Sequence, residues 1–326
     1  MERIRGRVPP QPDWVSVGIG DDAAVVEPAR GTLDVVTTDT LVEGVHFDRA
    51  FGSAADIGHK ALAVNLSDLA AMGATPRSVV LSLVLPPTLL VSDLDQLIEG
   101  LLTLASGHNV ALVGGNITRT TGPLVVGLTA FGAIRRRRML TRDGGRPGDE
   151  LWVTGWLGAA AAGLARLRTL FRVDVEDKDT ITACITHYRR PTPRVRIGTL
   201  LGRNRVARAG IDLSDGLADG LRQLAQASRV GVVIEGTAVP VHEDAARWFV
   251  EHGQDPLIAA LAGGDDYELL LAVPRSHRQR LAALARLFRG VPVTRIGVLT
   301  SSPALVLNTP RGPKALPTGY AHFTSA

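Results

Sequence analysis

Aspartate residues set among apolar residues are the most informative feature of this sequence. They fall in five short clusters, at residues 18–22 (GIGDD), 37–40 (TTDT), 65–68 (NLSD), 211–215 (IDLSD) and 263–268 (GGDDYE). A buried carboxylate without a partner is costly or gives up its charge. Few Lys or Arg residues lie near these clusters in the sequence, so the simplest counter-charge is a hard divalent cation, which binds carboxylate, hydroxyl and water oxygens. The pattern indicates magnesium and, with magnesium, phosphate.

Each cluster taken alone also fits a structural explanation. Residues 37–39 fit the polar end of a strand with local side-chain hydrogen bonds. Asp212 and Asp215 lie where an apolar run changes to a helical pattern near Gly216, a position at which an aspartate is often only an N-cap. The two aspartates together with the other clusters favour metal ligation.

Asp68 is the hardest of these aspartates to explain without a ligand. Residues 56–72 have helical spacing, which puts Ala61, Val64 and Asp68 on one face of the predicted helix. An unpaired carboxylate in an otherwise apolar stripe has no structural rationale.

The glycines of residues 18–23 (GIGDDA) superficially fit a dinucleotide-binding loop. That fingerprint needs a helix directly after the loop, whereas residues 23–26 precede Glu27 and Pro28 and predict an extended segment. Two aspartates would also repel a bare phosphate. We expect metal ligation here, with a plain acidic turn as the simpler alternative.

Composition indicates an ordinary globular protein with room for two domains. The chain has 326 residues, 45% of them hydrophobic, and a net charge of +4 that is spread along the sequence. The one dense basic run, residues 135–138, predicts a solvated loop, and 4% aromatic residues leave little for base stacking, so we expect no nucleic-acid partner. No apolar stretch is long enough to span a bilayer, so no membrane role is predicted.

Cysteine usage adds a prediction about the cellular compartment. Cys184 is the single cysteine, which excludes an intramolecular disulfide and a cysteine-rich metal site. The N-terminal residues show no apolar signal stretch. We expect a cytoplasmic protein.

Residues 144–149 (GGRPGD) concentrate turn formers between two apolar runs and predict the domain boundary. The predicted domains are residues 1–143 and 149–326. In the first, residues 33–38 and 78–85 predict strands, and residues 56–72 and 92–106 predict helices. In the second, strands are predicted at residues 151–154, 230–235 and 268–273, and helices at residues 158–170, 216–228 and 276–288. Alternating strands and helices are typical of α/β and α+β folds.

Eight segments, taken in order, resemble one known family. They are GIGDDAAVV, TTDTLVEGVHF, KALAVNLSDLAAMGA, LVGGNITR, LTRDGGRPGD, IDLSDGL, GGDDYEL and the terminal GYAHF. From residue 18 to residue 323 they resemble the thiamine-monophosphate kinases, which belong to the aminoimidazole ribonucleotide synthetase-like superfamily. The resemblance implies a two-domain α/β (α+β) fold, ATP bound near the domain junction, and a homodimer built through the N-terminal domains.

The resemblance also assigns roles to individual residues. The magnesium ligands would be Asp22, Thr37, Thr38, Asp39, Asp68, Asp212 and Asp215, and Asn116 stands where the family usually has an aspartate that binds magnesium. The nucleotide would contact Gly115, Asn116, Arg142 and Ser214. The substrate, thiamine monophosphate, would face His46, Asp265 and Tyr320.

The implied reaction is phosphoryl transfer from ATP to a phosphate group. ATP and a phosphate monoester together carry about five to six negative charges near neutral pH, which oppose contact unless cations intervene. The acceptor oxygen is already largely ionised, because the second pKa of a phosphate monoester is about 6. We therefore expect no catalytic general base and no phosphoenzyme, but direct in-line transfer aligned by several magnesium ions.

Three residues depart from the family pattern and keep alternatives open. Asn116 replaces the usual Asp, Asp265 replaces Glu, and Tyr320 replaces Trp. A purine-pathway ligase-like enzyme and a non-catalytic, magnesium-dependent nucleotide-binding paralogue are the alternatives. Selenophosphate synthetases and hydrogenase-maturation proteins would require cysteines near one end of the chain, which Cys184 does not provide.

Overall fold

The computed structural model describes residues 2–170 and 181–317, which fall into two compact units. Unit 1 takes the residues up to 69 together with 74–137, and unit 2 takes residues 70–73 and those from 138 onward. The predicted boundary segment, residues 144–149, lies a few residues beyond this division. The Leu140 N–H donates to the Met72 carbonyl (3.1 Å), and the Ser228 hydroxyl donates to the Arg142 carbonyl (2.8 Å). These two bonds hold residues 138–143 to unit 2. The composition of the turn does not reveal them.

Unit 1 is a four-stranded sheet covered by two long helices. Its elements in chain order are α1 (Glu2–Arg5), β1 (Val15–Val17), β2 (Val25–Val26), β3 (Leu33–Val42), α2 (Ala54–Ala71), β4 (Thr75–Leu85), α3 (Val91–His108), β5 (Ala111–Arg119) and β6 (Val125–Ile134). The sheet order is β3-β6-β4-β5, with β4 and β5 parallel and the other pairs antiparallel. The parallel pair follows from the crossover through α3.

The core of unit 1 lies between one face of the sheet and α2. Along β6 the side chains alternate between buried and half-buried, as expected for a strand with one face on a core. A Cβ on Gly58 of α2 would stand 1.9 Å from the Leu97 carbonyl of α3, so glycine at this position allows the two helix backbones to touch. This contact fixes the position of α2 and of the residues it carries.

Unit 2 is built on a seven-stranded sheet. Its elements are β7 (Glu150–Thr154), α4 (Ala159–Leu170), α5 (Thr182–Arg189), α6 (Val195–Asn204), β8 (Ala209–Asp212), α7 (Leu217–Ser228), β9 (Gly231–Glu235), α8 (Glu243–Glu251), α9 (Pro256–Ala262), β10 (Leu269–Val273), α10 (Arg278–Ala285), β11 (Val293–Thr300), β12 (Leu305–Thr309) and β13 (Gly312–Ala315). The strand order is β13-β12-β9-β11-β7-β10-β8, and only the β12–β9 pair is parallel among these. All five residues of β10 are buried, in agreement with its continuous apolar run.

The strands and helices predicted from periodicity are confirmed, with one shortened helix and one longer strand. Strand β3 continues to Val42, so the expectation that residues 37–39 form the polar end of this strand is wrong, and they lie in its middle. Residues 276–288 predict a single basic helix, but α10 covers only Arg278–Ala285 and follows a 3₁₀ turn at Arg275–His277. The basic run at residues 135–138 is mostly exposed, as predicted. Within the described parts of the chain, no helix combines the length and apolar character needed to cross a membrane.

Candidate functional site

Strand β3 and helix α2 bring two of the predicted magnesium ligands into contact. The Thr37 hydroxyl donates a hydrogen bond to Oδ2 of Asp68, and both side chains are half-buried. Asp39 stands two residues after Thr37 on the same face of the strand, because side chains alternate along β-structure. This face offers carboxylate and hydroxyl oxygens, the donors that magnesium prefers.

Thr38 lies on the opposite face of β3. Its hydroxyl donates to the Leu128 carbonyl (3.0 Å) and accepts from the Thr129 hydroxyl (3.1 Å). Asn116 of β5 is in register with Ser82 of β4, and both line an open groove of about 440 Å³ together with Thr38. The predicted ligand side chains of unit 1 are thus divided between two faces of one sheet.

Gly115 has a structural reason to be glycine. A Cβ at this position would stand 2.0 Å from the Leu81 carbonyl of the neighbouring strand β4. The close approach of β4 and β5 therefore requires glycine here, whether or not Gly115 also contacts a nucleotide.

Residues 18–22 form an exposed acidic turn in front of a strand. The Asp22 N–H donates to Oδ1 of Asp21 (2.9 Å), and both side chains are exposed. The next element is β2 rather than a helix, so the extended segment predicted after this turn is confirmed.

His46 is held by backbone hydrogen bonds. Its Nδ1 accepts from the Val42 N–H (3.1 Å), and its carbonyl oxygen accepts from Nζ of the buried Lys60 (3.2 Å). Because Nδ1 is an acceptor, the neutral ring carries its proton on Nε2. His46 therefore has an N–H donor suited to a phosphate oxygen.

In unit 2, the clusters 211–215 and 263–268 are joined through their backbones. The N–H groups of Asp265 and Tyr267 donate to the carbonyls of Ser214 (2.7 Å) and Leu213 (3.0 Å), and the Leu213 N–H donates to the Glu268 carbonyl (2.8 Å). These segments are far apart in the sequence, which gave no sign of their pairing. Ser214 and Asp265, predicted to contact the nucleotide and the substrate, become neighbours.

Asp212 and Asp215 are not helix caps. Helix α7 begins at Leu217, its N-cap residue is Gly216, and no side chain caps it. Asp212 ends strand β8 opposite Leu269 and is 5% exposed. The N-cap interpretation of these aspartates is therefore wrong, and metal ligation stays a prediction for both.

Glu268 has a counter-charge that the sequence did not reveal. The Arg194 guanidinium binds its carboxylate through two hydrogen bonds, one of them 2.7 Å, and the Thr154 hydroxyl donates to Oε2 (2.6 Å). The expectation that a divalent cation is the simplest counter-charge for these clusters is thus wrong for Glu268. Arg194 lies 74 residues away in the sequence, so local composition gave no signal.

Asp266 anchors the start of helix α4. Both of its carboxylate oxygens accept from the Gly158 N–H (3.1 and 2.9 Å). Complete burial raises the pKa of Asp266 well above its ordinary value, and the negative charge of Glu268 raises it further. Asp266 and Glu268 are structural members of their cluster rather than candidate ligands.

The described residues contain no group of three or more His, Cys, Asp or Glu side chains arranged to hold a metal ion. The predicted ligand set differs from such a group because it mixes aspartates with threonines and an asparagine and includes residues of both units. The magnesium cluster therefore stays a prediction.

Comparison with known proteins identifies the family. Residues 20–134 match the family described as AIR synthase related protein, N-terminal domain, and residues 146–309 match its C-terminal domain. The thiamine-monophosphate kinase of Bacillus subtilis (strain 168) is 36% identical over 95% of this chain and 94% of its own length. The crystal structure of thiamine-monophosphate kinase from Stenotrophomonas maltophilia K279a is 38% identical and has a TM-score of 0.83, over 94% of this chain and 95% of that one.

The chain belongs to the thiamine-monophosphate kinase family. By that membership it is a kinase, and the two-domain α/β fold implied by the resemblance is confirmed. A third relative is a solved complex of AaThiL with AMPPCP and TMP, 32% identical with a TM-score of 0.80, over 94% of this chain and 93% of that one.

Of the two remaining positions that the resemblance assigns to ligands, Arg142 can be compared with the structure. The exposed Arg142 donates to Oε1 of Gln223 on α7 (2.5 Å), so its guanidinium is held at the surface of unit 2. Tyr320 lies outside the described residues.

Sequence reasoning missed Tyr267, although this residue lies within the acidic cluster at residues 263–268. Its hydroxyl donates to Oδ1 of Asp265 (2.9 Å). A tyrosine beside acidic residues gave no signal of this contact, because the hydrogen bond depends on the loop conformation.

Proposed function

We propose that this protein phosphorylates thiamine monophosphate with ATP to form thiamine diphosphate. The observation that carries the proposal is the AaThiL complex, since that relative shares the fold over 94% of this chain and was solved with AMPPCP and TMP. The name shared by the curated relatives agrees with it.

Part of the donor set in unit 1 fits magnesium. Asp68 and Asp39 provide carboxylates and Thr37 a hydroxyl, all on the side of β3 that faces α2. When bound, magnesium would neutralise the charges of the two phosphate groups. In unit 2, Asp212 and Asp215 are the corresponding candidates.

The chain's own residues would bind and orient the two substrates. The Nε2–H of His46 is suited to a phosphate oxygen, and Asp265 provides a negative charge for the cationic thiamine group. The Ser214 carbonyl accepts from the Asp265 N–H (2.7 Å), so the candidate nucleotide and substrate residues are neighbours. Transfer would be direct and in line, since an ionised acceptor oxygen needs no general base.

The proposal extends to the assembly and location of the protein. We propose a homodimer formed through unit 1 and a cytoplasmic enzyme, as the family resemblance and the single cysteine suggest. A sedimentation measurement tests the dimer, which has twice the 34.5 kDa mass of one chain.

The test of this function is product identification with substrates of several classes. Purified protein is incubated with ATP, magnesium and one of three acceptors: thiamine monophosphate, thiamine or a ribonucleotide amide. We expect stoichiometric thiamine diphosphate and ADP from the first acceptor alone. Turnover of the amide would instead support the ligase-like alternative, and ATP binding without turnover would support a non-catalytic paralogue.

A further inference from the structure

The loop at residues 263–268 contains two strained residues. Asp265 has φ +66° and Tyr267 has φ +50°, both in the left-handed region. For residues with a side chain this conformation is unfavourable, and it persists where the surrounding structure imposes it. Such strain is concentrated at ligand-binding sites.

Two anchors alternate with the strained residues and hold the loop. Asp266 accepts from the Gly158 N–H, and Glu268 is bound by Arg194 and Thr154. A Cβ on Gly155 would stand 1.9 Å from Oε1 of Glu268, so the residues after β7 also pack against this anchor. The loop is thus fixed on both sides of Tyr267.

The strained conformation brings Tyr267 to Asp265. The Tyr267 hydroxyl donates to Oδ1 of Asp265 at 2.9 Å. Tyr267 is only 6% exposed, whereas Asp265 is half-buried. A hydrogen bond to a carboxylate is stronger than one between neutral groups, and a buried ring keeps its donor in one place. The bond therefore fixes the orientation of the Asp265 carboxylate.

We propose that Tyr267 is a positioning residue for the substrate site: its hydroxyl holds the Asp265 carboxylate in the orientation that receives the thiamine group. This inference rests on the proposed function. The thiamine group carries a cationic thiazolium ring and an amino group on its pyrimidine, both suited to a fixed carboxylate. Because Asp265 is one methylene shorter than the usual Glu of the family, its reach depends more strongly on its orientation.

The test is a double-mutant cycle with Y267F, D265N and the double variant. We expect Y267F to raise the KM for thiamine monophosphate roughly tenfold, or about 1.4 kcal/mol. The KM for ATP and the kcat should change by less than about twofold, because the change affects acceptor binding alone. In the D265N background, Y267F should add almost nothing, since it acts through Asp265. Calorimetry with a non-hydrolysable ATP analogue gives the Kd for thiamine monophosphate independently of turnover.

Y188F is the matched control, because Tyr188 of α5 is a buried tyrosine of the same unit at 5% exposure. It should leave the Kd for thiamine monophosphate unchanged. Independent, additive effects of Y267F and D265N would overturn the inference. An equal rise in the KM for ATP would overturn it too, as would a loss of thermal stability in Y267F with no change in the Kd for thiamine monophosphate. If the wild-type protein neither binds nor converts thiamine monophosphate, the proposed function fails first, and the inference fails with it.

Discussion

At residue 116 an amide stands where the family usually has a carboxylate. An amide oxygen can bind magnesium but brings no charge, and the number of charged ligands sets the affinity for a hard cation. We expect N116D to lower the magnesium concentration for half-maximal activity by about tenfold. A magnesium titration of thiamine diphosphate formation measures this change. An unaltered requirement would mean that residue 116 does not bind the metal.

Gly115 provides a second test at the residue scale. G115A would place a Cβ 2.0 Å from the Leu81 carbonyl, so we expect the free energy of unfolding to fall by about 1–3 kcal/mol. Gly107 is the matched control, because it lies in α3 with no atom near its Cβ position, and G107A should stabilise the protein by about 0.5–1 kcal/mol. Urea unfolding measures both. A G115A protein of normal stability that fails to bind ATP would favour a nucleotide contact over the packing explanation.

The sequence indicated candidate ligand residues but not which way each side chain faces. The aspartate clusters and the position of Asp68 on a helix were readable, because periodicity sets the face of a helix. Thr37 and Thr38 lie on opposite faces of the sheet, and which of them faces α2 depends on the side of β3 that packs on this helix. The pairing of Glu268 with Arg194 depends on tertiary structure across 74 residues, so local charge counting could not find it.

At the scale of elements, the start of α4 depends on a buried carboxyl group. Burial raises the pKa of Asp266 above its ordinary value of 3.8, so the folded protein binds this proton more tightly than the unfolded chain does. The resulting stability is fully present below that ordinary value and is lost as the pH rises through the raised pKa. In D266N the side chain is neutral at every pH.

We therefore expect the free energy of unfolding of the wild type, relative to D266N, to decrease as the pH rises above about 4. Chemical denaturation of both proteins at a series of pH values measures the difference. D13N, at an exposed aspartate, reports the background slope. Parallel curves for the wild type and D266N would show that Asp266 titrates alike in the folded and unfolded states.

Helices and strands were predicted correctly where the apolar periodicity extended over many residues, but some of their ends were not. Elements such as β4, α2, α3 and α7 were identified from apolar spacing, because burial of one face imposes that spacing. The end of α10 and the residue that caps α7 were not, since a helix terminus depends on a few local contacts. At α7 the N-cap residue is Gly216, so Asp212 and Asp215 do not cap this helix.

At the scale of the whole molecule, family membership and the donor geometry support one account. Relatives cover nearly the full chain, and the contact between Thr37 and Asp68 provides oxygen donors where the family resemblance puts magnesium. We propose that this protein converts thiamine monophosphate to thiamine diphosphate on magnesium held in part by Asp68.

The most direct test measures thiamine diphosphate formation against magnesium concentration in the wild type and in D68N. The substitution keeps the side-chain shape and removes one charge. D34N, at an exposed aspartate of β3, is the matched control. We expect magnesium-dependent product from the wild type and D34N, and at least about a hundredfold less from D68N at normal stability. Equal product from D68N and the wild type, or product without a divalent cation, would contradict the account.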